Sequence, residues 1–141
     1  MNDRYLYRAK RIDNGEWVEG NLITDEQDEK KCFIGYVFGT NDDGTPHDFD
    51  VVAVDPSTIC QRVPSGGCSL DEKPIWESDI VTDGRYIGVV RFGLYESKHL
   101  GFYIEWMNGN DVLRKDLCYW LPKIKAIGNI FDNQELLEVG E

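Results

Sequence analysis

Ile80-Val81-Thr82, then Asp83-Gly84, then Tyr86-Ile87-Gly88-Val89-Val90-Arg91-Phe92 and, further on, Gly101-Phe102-Tyr103-Ile104-Glu105-Trp106 are the stretch that decides the fold. These runs are short and rich in β-branched and aromatic side chains, and turn-forming residues separate them, which is the pattern of strands rather than helices. Further strands are expected at Val112 to Cys118 and at Ile124 to Ile130. Several short strands joined by tight turns point to a small barrel or roll.

Upstream the pattern repeats. Tyr5 to Lys10 and Glu16 to Leu22 flank Asp13-Asn14-Gly15, whose Asn-Gly step suits a hairpin turn that needs positive φ. After the acidic loop Asp25-Glu26-Gln27-Asp28-Glu29, a second hairpin is expected from Cys32 to Phe38 and Asp48 to Val54, with turn residues from Asn41 to Pro46 between them. Arg62 to Lys73 is poor in apolar residues and contains Pro64-Ser65-Gly66-Gly67, so it reads as a loop. The chain then divides into an N-terminal β region at 1–61, a loop at 62–78 and a C-terminal barrel part at 79–141, within one folding unit. A short helical turn through Gln134 to Glu138, capped by Asp132 or Asn133, would lay Leu136 and Leu137 over an open barrel end.

Composition limits the partners. With 41% hydrophobic residues among 141, the chain has enough apolar surface for a core, which excludes a disordered chain. No apolar run is long enough to span a bilayer and the N-terminus has no apolar signal core, so no membrane is expected and the cytoplasm is the expected compartment. Against 26 acidic residues stand 15 basic ones, a formal net charge of -11 that disfavours phosphate backbones unless cations gather on one face. The basic residues Arg4, Arg8, Lys10 and Arg11 make a short group at the start. Cys32, Cys60, Cys68 and Cys118 lack zinc-knuckle spacing and read as reduced thiols, with Cys32 and Cys118 as buried small hydrophobes.

Three motifs stand out: Val54-Asp55-Pro56-Ser57-Thr58-Ile59-Cys60-Gln61, Pro74-Ile75-Trp76-Glu77-Ser78-Asp79-Ile80-Val81, and Ala126-Ile127-Gly128-Asn129-Ile130-Phe131-Asp132-Asn133-Gln134-Glu135-Leu136-Leu137. Together with Gly15-Glu16-Trp17-Val18-Glu19-Gly20, they make the chain resemble the YopX family of phage and prophage proteins. The resemblance covers nearly the whole chain and implies an all-β fold: an SH3-like β pseudo-barrel with a small helical cap. It also implies a viral origin and the cytoplasm of a bacterial host. The chain departs from the family pattern at Cys60 and Ser78, where glycine is usual, at Arg62 to Gly66, and at Gln134, where proline is usual.

Candidate chemistry is sparse. Glu77 and Asp79, alternate residues of a strand, would share a face and could converge on a cation or a proton. The alternative, which we favour, is that an acid here ties a loop amide or an arginine. His47 and His99 have no nucleophile at a motif spacing and read as exposed loop histidines. Gly66-Gly67 lacks the context of a phosphate cradle. No cofactor or metal is therefore expected, nor a catalytic set. Trp76 and Tyr95 are the aromatics nearest to turn-rich segments, and Arg91 could join Tyr95 in a stacking patch. The expected role is a non-enzymatic module that contacts a protein partner, a second copy of itself included, through residues such as Trp76, Glu77, Asp79, Arg91 and Tyr95. A nucleic-acid-binding barrel is the alternative, with Arg4, Arg8, Lys10, Arg11 and Arg91 as a local basic patch and Tyr95 stacking, followed by an acidic DNA mimic and a metal-assisted hydrolase at Glu77 and Asp79.

Overall fold

A computed structural model describes residues 5–64, 69–107 and 113–138. It divides into two compact units, Met1–Arg62 and Val63–Glu141, each built on its own antiparallel sheet.

The first unit runs β1 (Tyr7–Lys10), β2 (Trp17–Thr24), β3 (Cys32–Thr40), β4 (Pro46–Val54) and β5 (Cys60–Gln61). Their order in the sheet is β4-β3-β2-β1-β5. The expected first hairpin is present, with Tyr7 opposite Gly20 and Lys10 opposite Trp17, and Gly15 supplies its positive φ of 72°. The second hairpin is longer than its sequence pattern indicated. It reaches Thr40 on one strand and begins at Pro46 on the other, with a register irregularity around Gly39.

Side chains of alternate residues point to opposite faces. One face therefore places Cys32, Ile34 and Val54 with Ala9 in a small core, against which Leu22 and Val52 pack. The end of β4 folds back on the start of the unit: the Ile12 amide donates to the Ala53 carbonyl, the Asp55 amide donates to the Lys10 carbonyl, and Arg11 bridges Val54. This contact curls the sheet without closing it along its length.

The second unit has β6 (Asp79–Thr82), β7 (Ile87–Tyr95), β8 (His99–Trp106), α1 (Leu117–Trp120) and β9 (Lys125–Asn129), with sheet order β8-β7-β6-β9. Its core holds Ile75, Val81, Val90, Ile104, Trp106, Trp120 and Ile124. The two tryptophans meet edge to face at 4.9 Å, and both indole N–H groups donate to the Arg114 carbonyl. Each indole buries a large apolar body in this small core while its N–H stays satisfied.

Several expectations need correction. The strand expected from Val112 to Cys118 is reduced, among the described residues, to one bridge of Asp116 with Tyr103, where the Lys115 carbonyl accepts from the Ile104 amide: Leu117–Trp120 is one helical turn, and Val112 lies outside the described residues. Leu117 and Trp120, three apart, both face the core, a spacing that suits a helix and not a strand. That turn leaves Cys118 exposed rather than buried, whereas Cys32 and Cys60 are buried; Cys68 lies outside the described residues. His47 and His99 are exposed but belong to β4 and β8, not to loops. The mainly β expectation holds, but as two open antiparallel sheets rather than one closed barrel. The C-terminal turn forms over Gln134–Leu137 without a side-chain cap, because the Asn133 side chain accepts from Asn129 instead. Leu136 and Leu137 are only half-buried.

Candidate functional site

The three motifs that carry the family resemblance are tie-points of the scaffold. In the first, the Asp55 carboxylate accepts from the Ser57 amide at 3.0 Å and its hydroxyl at 2.8 Å, capping a short 3-10 turn. Buried Thr58 then accepts from the Lys10 amide and donates to the Asp55 carbonyl. In the third, Asn129 accepts from the Phe131 and Asp132 amides while its own amide donates to Asn133 at 3.1 Å. Gly128 is required there, since a Cβ on it would come within 2.6 Å of the Asn133 side-chain oxygen.

The second motif holds three of the sequence-predicted residues. Trp76 is buried. Glu77 sits in the turn before β6 rather than on a strand, because Ser78 takes a φ of +73° and breaks the strand geometry that would have aligned Glu77 with Asp79. Asp79 is 4% exposed; its carboxylate accepts from the Trp76 amide at 2.8 Å, and its own amide donates to the Trp76 carbonyl. The acid thus closes a loop. Among the described residues no three His, Cys, Asp or Glu side chains form a metal-binding group.

Arg91 and Tyr95 do lie on one face of β7, two pleats apart. Arg91 faces Tyr103 and pairs with Glu105 at 3.4 Å, while Tyr95 stacks on Tyr103 at 4.9 Å and contacts His99 at 5.2 Å. Burial pushes the Tyr95 phenol pKa up, and the charges of Asp116 and Glu96 add to that shift. Of the N-terminal cations, Arg8 and Lys10 lie over the Trp17 ring and Arg11 is held by Asp13 through two nitrogens; Arg4 lies outside the described residues. Arg8, Lys10 and Arg11 thus each have a local partner.

One surface that sequence reasoning missed is the outer face of β2, β3 and β4. Ile23, Val37, Phe49 and Val51 are 41, 54, 61 and 47% exposed and border a shallow groove of about 240 Å³ floored by Gly35. Gly35 leaves the floor open, and the end of Ile23 would lie 2.7 Å from a Cβ there. The exposed shares of these four side chains amount to about two whole ones, worth about 4 kcal/mol if covered. The signal was present as alternation, since residues 33, 35 and 37 oppose 32, 34 and 36 in β3. Both sets are apolar, however, so composition alone did not tell the outer set from the inner.

The YopX protein family matches residues 6–138. The chain belongs to the YopX family. No curated protein matches it. The match spans both units and all three motifs. The exposed groove lies within the same span but outside the three motifs.

No described helix is long and apolar enough to cross a membrane.

Proposed function

We propose that this YopX-family chain is a non-enzymatic protein-interaction module of a phage or prophage, and that it makes contact through the outer face of β2, β3 and β4. The observation that supports this is the apolar groove around Gly35, because contiguous exposed apolar surface is costly to keep in water unless something covers it. Of the motif residues singled out for contact, Trp76 is buried and the Asp79 carboxylate is tied to a backbone amide, so neither offers a competing surface.

The test is a tagged pull-down from host lysate after nuclease treatment, with light scattering on the pure protein. A Val37→Ser/Phe49→Ser variant serves as the control for the face. Because both side chains are exposed, the variant should keep the far-ultraviolet circular dichroism and Tm of the parent. Capture, or self-association, should be lost in the variant. Retention of every partner by a folded variant would rule out this face, and a parent that neither captures protein nor self-associates would rule out the module.

A further inference from the structure

We infer that the occupant of this face is an extended cationic peptide segment of a partner protein, one alternating apolar residues with Lys or Arg, which adds as a strand to the outer edge of β4. The inference rests on the interaction reading above and names the chemistry of its partner. β4 ends its sheet and is nine residues long. Ala53 turns its carbonyl away from β3, to Ile12. By the alternation of an antiparallel ladder, Val51 and Phe49 also turn their backbone groups outward. Among the described residues no strand pairs with that edge over Pro46 to Val52, and an open edge beside an apolar face is a template for an added strand.

Charge selects the strand. From Cys32 to Val54 the hairpin carries Asp42, Asp43, Asp48 and Asp50 and no Lys or Arg; its one histidine, His47, lies 2.8 Å from Asp48. Asp50 guards the edge itself, one carboxylate oxygen accepting from the outward Val51 amide at 2.9 Å and the other from the Tyr36 hydroxyl at 3.3 Å. The nearby cation Arg11 is held first by Asp13, and the Asp50 charge acts on it only more weakly. A Lys or Arg of the incoming strand would pair with Asp50 and draw the carboxylate off the Val51 amide, freeing that donor for the partner's carbonyl. Its apolar residues, on the alternate side, would cover Phe49 and Val51. A second copy of β4 is disfavoured, because antiparallel self-pairing brings Asp48 and Asp50 of both chains onto one ladder, where like charges repel.

The probe is an end-blocked peptide alternating lysine and valine, with two companions: one with glutamate for lysine, and one N-methylated on alternate residues to block the ladder while keeping side chains and charge. Binding is read by fluorescence anisotropy and by amide chemical shifts. The lysine peptide should bind, with the largest shifts at Phe49 and Val51. Both companions should bind at least about tenfold more weakly, as should Asp48→Asn/Asp50→Asn to the lysine peptide, the loss expected for two partly exposed ion pairs. High salt should weaken the parent complex.

Equal binding of the glutamate or N-methylated peptide overturns the inference, as does no binding. A dimer of the pure protein that Phe49→Ser dissociates also overturns it, by making a second copy the occupant. If the peptides fail while Val37→Ser/Phe49→Ser still loses its lysate partner, the interaction reading stands and only the partner's chemistry is wrong.

Discussion

Replacing Asp79 with alanine should unfold the second unit more easily, and by an amount that separates a scaffold acid from a functional one. The carboxylate is almost wholly buried and accepts a charge-assisted hydrogen bond from the Trp76 amide at 2.8 Å. Such a bond contributes about 1.5–3 kcal/mol, and the orphaned buried amide adds a penalty of about 1–3 kcal/mol. Alanine also removes the cost of holding a carboxylate out of water, which offsets part of the loss. A net destabilisation of about 2–3 kcal/mol follows. Asparagine keeps an oxygen in place for the Trp76 amide and should cost only about 1 kcal/mol.

The assay is urea unfolding followed by tryptophan fluorescence, with the midpoint and slope fitted for parent, Asp79→Asn and Asp79→Ala. The order parent, Asn, Ala is expected, with equal slopes. If alanine cost under about 0.5 kcal/mol, the range of an ordinary surface change, the scaffold argument would fail and the acid would be free for chemistry or contact.

Ser78 holds a φ of +73° with both backbone groups bonded, its amide to Val90 and its carbonyl to Ile130; Ser78→Gly should therefore stabilise by about 0.5–1 kcal/mol, read from the same urea midpoints. Gly128→Ala places a Cβ against the Asn133 side chain and should cost about 1–3 kcal/mol, with loss of hydrogen-exchange protection at the Asn129 amide as the local sign. Tyr95 has its pKa raised, first by burial and then by Asp116 and Glu96, so the folded state keeps the phenolic proton to higher pH than the unfolded chain does. The stability this gives is full below the ordinary phenol value of about 10 and falls as pH rises through the folded value. Tyr95→Phe should accordingly show a shallower alkaline loss in Tm, and an unchanged alkaline limb would refute the assignment.

Alternation and turn chemistry were enough to place most strands. Asn14-Gly15 and Asp83-Gly84 fix tight turns through local φ preferences, and the residues around them pair as expected. Helix 117–120 was not legible, because Leu117-Cys118-Tyr119-Trp120 is too short to establish a period and its apolar, aromatic composition suits either element. The role of Asp79 was half legible: an acid near a turn suggests a tie, but its partner, the amide of Trp76, follows from the left-handed turn at Ser78, where the family usually has glycine.

The sequence by itself determined the mainly β class, the family and the places where the chain must turn, since these depend on residue type and near neighbours. Only the tertiary structure decided which of two apolar faces in β3 is core and which is open, because that depends on what packs against each face. Ala9 and Val54 cover the side of Ile34, while Val37, Phe49 and Val51 remain exposed on the other. The same holds for charge: Asp79 and Asp50 are alike as residues, yet one closes a buried loop and the other guards an exposed strand edge, a difference set by the backbone amide each meets.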